Sequence, residues 1–131
     1  MDDRVLDTLD HNQVIDITTT GRRTGQPRRI EIFLHNLDGR LIISGIPRPG
    51  RTRAWLRNVT ADPHVTIHLK AGDVQADLPA TARVITDRAE RLALLRGVAR
   101  NWDRADIDVM VDHSPLIEVT VPGYERATHA A

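Results

Sequence analysis

Hydrophobic and polar positions alternate over Val14–Thr20 (VIDITTT), with Ile15 and Ile17 on one face, and over Arg29–Asn36 (RIEIFLHN), with Ile30, Ile32 and Leu34 on one face. A period of two in β-branched residues predicts two strands, each with one buried face. The stretch that joins them, TTTGRRTGQPRR, carries the turn residues Gly21, Gly25 and Pro27, so the pair is predicted to form an antiparallel hairpin. Asp38-Gly39 predicts a tight turn into a third strand, Leu41–Ile46, and the Pro47–Gly50 segment supports neither regular element.

Thr52 is placed to cap a short helix over Arg53–Ala61, which Asp62-Pro63 stops because the residue before proline is driven out of the α region. Val65–Leu69 alternates again, Gly72 breaks it, and Val74–Leu78 and Thr81–Ile85 predict two more short strands. Thr86-Asp87 opens a long helix whose apolar stripe reads Ala89, Leu92, Leu95, Ala99 and Trp102; Leu92, Leu95 and Trp102 are expected to face the barrel. Asp103–His113 is polar and fits no element well, and Leu116–Val121 predicts a closing strand before a frayed tail. Five to seven mostly antiparallel strands with two to three helices predict an α+β fold, a small β-barrel forming a single domain over residues 1–131.

At 131 residues the chain buries about two-thirds of its unfolded surface in one core. Eighteen basic residues balance eighteen acidic ones, so a globally basic nucleic-acid binder is excluded, and an aromatic content of 3% leaves little to stack on bases. The balance is not local. From Thr18 to Asn58 nine arginines (Arg22, Arg23, Arg28, Arg29, Arg40, Arg48, Arg51, Arg53 and Arg57) face two acids, Glu31 and Asp38. Such a concentration inside a neutral chain points to an anionic ligand. The absence of cysteine rules out a disulfide framework and a thiolate site. Asp2, Asp3, Asp7 and Asp10 are incompatible with a secretory signal, and no apolar run approaches the roughly 20 residues of a membrane span, so a cytoplasmic protein without an integral membrane segment is expected.

Candidate chemistry narrows quickly. Gly21 and Gly25 lead into a strand, which excludes a dinucleotide fingerprint, and the loop lacks the Gly-Lys-Ser/Thr ending of a phosphate-binding P-loop. His64 and His68 lie four apart on a predicted strand, about 13 Å from each other, so no metal site is expected. Ser44 and Ser114 lack a nucleophile-elbow context, and no catalytic residue can be named. What remains is the arginine hairpin, Arg22, Arg23, Arg28 and Arg29, whose guanidinium forks suit phosphate or carboxylate. A second cluster, Arg48, Arg51 and Arg53, surrounds the start of the predicted short helix, itself a seat for anions. Trp55 on that helix offers a flat face to a planar ligand or packs into the core.

The segments TTTGRRTGQPRR, GRLIISG and AWLRNVTADPHVTIHL, in this order and spacing, resemble the deazaflavin-dependent nitroreductase family, also described as F420H2-dependent quinone reductases. The family pattern is a TTGR-(K/R)-(S/T)-G-x-P-R loop, a strand pair, then W-x-x-N-(L/V) leading into (N/D)-P-x-V. The likeness continues through ITDRAERLALL to SPLIEVTVP. It implies a split β-barrel of the flavin-reductase type and the cofactor coenzyme F420, a 5-deazaflavin whose side chain ends in phosphate, lactate and several glutamates. It also implies hydride transfer to a small-molecule electron acceptor, a quinone, nitro compound or activated alkene. The cofactor-binding residues it implies are Arg22, Arg23, Thr24, Gly25 and Arg28 for the anionic tail, with Gly45, Arg48, Trp55 and Asn58 on the following loop and helix. Phe33 stands where the family has a second-strand aromatic, and it cannot donate a proton. An FMN-dependent enzyme on the same barrel and a non-catalytic deazaflavin carrier are the alternatives, and assembly as a homodimer is left open.

Overall fold

The computed structural model describes residues 1–125. The first two alternating runs form β1 (Gln13–Thr20) and β2 (Pro27–Leu37), paired from Gln13 with Leu34 to Thr20 with Pro27. Asp38 and Gly39 both have positive φ, 54° and 88°, which is the type I′ geometry that lets a two-residue turn follow the twist of its strands into β3 (Arg40–Ser44). With β4 (His64–Ala71), β5 (Val74–Val84) and β6 (Leu116–Thr120), the strands close into a six-stranded antiparallel barrel in the order β1-β2-β3-β6-β5-β4. The ring closes through every strand, while Pro27–Phe33 of β2 and Val74–Ala80 of β5 are paired on one side alone.

The inward residues are those the period of two selects. Ile15, Ile17, Leu34, Leu41, Ile43, Val65, Ile67, Ile117 and Val119 fill the barrel as one apolar cluster. A second cluster lies outside the wall, where Ile42, Ile85 and Leu116 meet α3 (Arg88–Trp102) and α4 (Ile107–His113). β3 is therefore buried on both faces, which explains its uninterrupted LII reading.

Four differences from the sequence expectation have physical causes. β5 is one strand through Pro79, which pairs with Thr66; β6 joins β5 only from Thr81 onward, so the missing proline N–H falls where one side of the strand is open. Among the described residues four helices form, not two to three: α1 (Asp3–Leu9) is capped by Asp2, which accepts from the Arg4 N–H, and the polar stretch after residue 103 contains α4. On α3, Leu95 and Ala99 are buried as expected, and Leu92 and Trp102, half-buried, pack against the same cluster; Ala89 is exposed, and Leu94 and Val98, which were not expected, are buried beside Leu95. The helix lies on the barrel's outer wall, so its contact stripe follows the i, i+4 rows 94/98 and 95/99. Finally, α2 (Ala54–Ala61) has Arg53 at its N-cap position with no side-chain bond, so Thr52 does not cap it. Asp87 does cap α3 as expected, accepting from the Glu90 N–H at 2.9 Å.

The barrel's two ends are closed differently. At the end reached by Leu37, Asn36 donates to the Leu9 carbonyl (2.9 Å) and to the Tyr124 hydroxyl (2.8 Å), and Tyr124 donates to Asp10 (2.7 Å). α1 and the segment after β6 are thereby tied beneath the barrel, and Tyr124 is buried there. A frayed tail was expected directly after Val121, yet Tyr124 is packed and bonded; the rest of that expectation, residues 126–131, lies outside the described residues. The opposite end carries the arginine hairpin.

His35, on the outer face of β2, is 0% exposed, and burial lowers its pKa from 6.5 to about 4. Its Nδ1 accepts from Asn101 Nδ2 at 2.9 Å, and its ring lies edgewise to Phe33 and Trp102 at 4.7 and 4.9 Å. The unfolded chain gains this proton near pH 6.5 and the folded chain only near pH 4, so stability is full above 6.5 and falls as pH drops through that window. The loss amounts to about 3 kcal/mol by pH 4. Urea unfolding across this range should show a shallower pH slope in His35→Phe than in wild type; identical slopes would assign the acid sensitivity to other groups.

Candidate functional site

Six residues separate the paired ends Thr20 and Pro27, and their conformation makes the barrel's mouth. The Gly21 N–H donates to the Gln26 carbonyl at 2.8 Å, and the Gly25 N–H donates to the Gly21 carbonyl at 2.8 Å. Gly25 has φ +70°, the left-handed region in which a side chain is strained, so the loop turns there. Thr24 Oγ1 accepts from the Gln26 N–H at 3.2 Å.

Asn58 fixes this loop to the rest of the fold. Its Oδ1 accepts from the Arg22 backbone N–H (3.1 Å) and from Arg22 Nη1 (3.2 Å), while its Nδ2 donates to Thr19 Oγ1 (3.1 Å). Asn58 is 4% exposed and Thr19 2%, so the bond between them is made away from water, while those to Arg22 are part-buried. One amide thus sets α2, β1 and the hairpin loop in register. Both acceptor positions of Oδ1 are used within the protein, which makes Asn58 a positioning residue.

Between the loop and α2 lies a cavity of about 400 Å³, lined by Arg22, Arg23, Thr24 and Arg28 on one side and by Ile30, Ala54 and Trp55 on the other, with Thr19, Gly21 and Asn58 completing it. Trp55 serves both of the roles open to it: it is 8% exposed within the barrel's apolar cluster, and it walls the cavity. The volume falls in the range of small-molecule sites, which run to about 300–1,000 Å³. Among the described residues, Arg22, Arg23 and Arg28 form no salt bridge. Arg29, the fourth arginine of the hairpin, alternates to the other face of β2 and pairs with Asp16 at 2.9 Å. Arg40, counted in the same basic stretch, donates to Glu118 at 2.8 Å and to Glu90 at 3.0 Å; with Arg83 it holds the Glu90 carboxyl down at about 2. Of the hairpin's four arginines, the three without a bonded carboxylate are thus the three that line the cavity.

Of the residues expected to bind the cofactor, the structure brings together Arg22, Arg23, Thr24, Arg28, Trp55 and Asn58 around this cavity, with Gly25 in the same loop. Gly45 and Arg48 lie in the loop between β3 and α2, outside the cavity lining. Gly45 has a packing reason of its own: a Cβ there would come within 3.0 Å of Arg53 Nη2 and 3.1 Å of Pro115. Phe33 packs on the outer wall against His35 and Trp102. Thr19, Ile30 and Ala54 were not anticipated, although Thr19 continues the inward face of Ile15 and Ile17 and Ile30 shares a face with Ile32. His68 on β4 bonds Thr18 (2.6 Å) and Asp77 (2.7 Å), His64 bonds Asp62 (2.9 Å), and among the described residues no three His, Cys, Asp or Glu side chains group as metal ligands. No described helix is long and apolar enough to cross a membrane.

The closed antiparallel barrel, with a cationic, half-apolar mouth, has the split-barrel fold. Within that class, the F420H(2)-dependent quinone reductase family matches residues 2–122, and the chain belongs to this family. It is an oxidoreductase that uses coenzyme F420. Solved structures repeat the fold. An F420-H2 dependent reductase, FDR-A, superposes with a TM-score of 0.58 at 20% identity over 82% of this chain and 93% of that one. An F420 reductase gives 0.66 at 14% identity over 91% and 94%, and a FAD-binding protein from Mesorhizobium loti gives 0.60 at 13% identity over 92% and 89%.

Replacing Asn58 by Ala leaves the buried Thr19 hydroxyl and the Arg22 N–H without their partner, which costs about 1–3 kcal/mol. Urea unfolding should register this loss, and coenzyme titration should show weaker binding by the residual folded protein. Wild-type stability would mean that the loop holds its place without the amide.

Proposed function

We propose that the cavity between the hairpin loop and α2 seats coenzyme F420, and that the chain uses its reduced form to reduce a quinone. The observation that carries this reading is the pairing of three uncompensated guanidinium groups with the apolar wall of Ile30, Ala54 and Trp55 in one site. A planar ring needs the second and a polyanionic tail needs the first. Arg22, Arg23 and Arg28, with Thr24 and the Gly25 loop backbone, hold phosphate and carboxylates; Trp55 and Ile30 support the ring.

When bound, the reduced deazaflavin supplies a hydride to the acceptor. Among its lining residues the cavity has no carboxyl, imidazole or phenol, so the protein's part is to bind and orient, and the proton that completes the hydroquinone comes from solvent. Tyr124, the chain's single tyrosine, is bonded to Asn36, which lies eight residues along β2 from Arg28, about 26 Å in an extended strand. Nitro compounds and activated alkenes are acceptors of the same electron-poor kind and belong to the same proposal.

The test replaces Arg22, Arg23 and Arg28 together by glutamine. Length is kept and charge is lost, so melting should change little, by about 0.5 kcal/mol or less per exposed site. Coenzyme affinity should fall by roughly 100-fold or more, because each charge-assisted bond contributes about 1.5–3 kcal/mol. Oxidation of the reduced coenzyme by a soluble naphthoquinone should slow in parallel when the coenzyme is limiting. Unchanged affinity on folded protein would overturn the assignment of these arginines, and binding without quinone-dependent oxidation in wild type would overturn the acceptor.

A further inference from the structure

On the other flank of α2's first turn a second cavity, of about 340 Å³, opens between the loop before α2 and the turn joining α4 to β6. Arg51, Thr52, Arg53, Arg91, Ser114 and Pro115 are in its wall, and none of them lines the first cavity, into which Ala54, Trp55 and Asn58 of the same helix face. Two polar groups in this wall are buried with no protein partner: Arg53 Nη1 and Ser114 Oγ, the serine being 4% exposed. The guanidinium of Arg53 lies over Gly45, and its Nη2 donates to the Ile46 carbonyl. Arg91 is held by carbonyl oxygens, those of Val111 (3.0 Å), Ile85 (3.0 Å) and Ser114 (2.7 Å), so its charge reaches the wall without a carboxylate bonded to it. Asp112 also lines the cavity, and its Oδ1 accepts from Arg88 at 2.7 Å. Burial, with repulsion from Arg48 and Arg51, pushes Arg53 below the ordinary arginine range.

Arg53 Nη1 is a donor and nothing else, and the Ser114 hydroxyl can turn to donate. A bridging water would satisfy both but offset no charge, and among the described residues no carboxylate is bonded to Arg51, Arg53 or Arg91. An anionic oxygen accepts from both and offsets the charge, and the uncapped start of α2 adds a partial positive charge of the same sign.

We propose that this second cavity binds the phosphate or carboxylate group of a ligand, held by Arg53 and Ser114. The claim stands apart from the reading of the first cavity, since it rests on different residues. Inorganic phosphate is the probe, added to the full chain without coenzyme while the amide resonances of Thr52, Arg53 and Ser114 are followed. Saturable shifts are expected, weakened about threefold or more in Ser114→Ala and about tenfold or more in Arg53→Gln. The variant lacking Arg22, Arg23 and Arg28 should respond within about twofold of wild type. If Arg53→Gln does not fold, Arg51→Gln replaces it with a smaller loss expected. Absence of saturation up to about 50 mM phosphate, which is the outcome if water fills the site, would overturn the proposal, as would unchanged affinity in Ser114→Ala together with the arginine variant. Saturating coenzyme F420 then separates the sources: loss of the phosphate response assigns the seat to carboxylates of the coenzyme, and its retention assigns it to a separate anionic molecule, each consistent with an anion site.

Discussion

Arg22, Arg23 and Arg28 are held around one cavity without a carboxylate bonded to any of them among the described residues, and like charges so placed repel one another. The hairpin loop keeps them there because its backbone is fixed from beneath. Asn58 binds the loop at Arg22 and the barrel wall at Thr19, and the Gly21, Gly25 and Gln26 backbone closes on itself. Stability that the rest of the fold supplies is therefore used to hold a charged, preorganised mouth, as a site for a polyanionic coenzyme requires.

The other arginines show what the structure does with charge that serves the fold. Arg40 and Arg83 share Glu90 and Glu118 and tie β3, β5, β6 and α3 together; Arg29 joins Asp16 beside Lys70; Arg88 and Arg104 pair with Asp112 and Asp106. Exposed pairs of this kind contribute little each, about 0–1 kcal/mol, but they neutralise these arginines, whereas those lining the mouth and the second cavity have no carboxylate bonded to them among the described residues. A chain of zero net charge thus presents two local cationic sites, one on each flank of the same short helix.

Much of the barrel was legible because a period of two is a geometric property of strands: Ile15, Ile17, Leu34 and Ile43 face inward wherever their neighbours lie. Val74–Leu78 and Thr81–Ile85 were expected as two strands and form one, because Pro79 between them lies where β6 has not yet joined β5. The buried stripe of α3 was legible in Leu92, Leu95, Ala99 and Trp102 but not in Leu94 and Val98, because its width depends on how the helix lies across the wall. In the site, the arginine hairpin was legible as an excess of charge, and alternation alone separates Arg28 from Arg29. The role of Asn58 was not, since an amide's use is set by partners 36 and 39 residues away. The meeting of Arg53 with Ser114 was still less so, because it depends on β3 pairing with β6, which brings Ser44 opposite Leu116.

The salt dependence of coenzyme affinity tests the central claim most directly. Where partly exposed charges hold the anionic tail, binding should weaken steadily as added salt shortens the screening length from about 10 Å at 0.1 M toward 3 Å at 1 M. Wild type should show this decline, and the variant with glutamine at positions 22, 23 and 28 should show a much flatter one. Equal slopes in the two proteins, or a flat profile in wild type, would contradict an arginine-held tail.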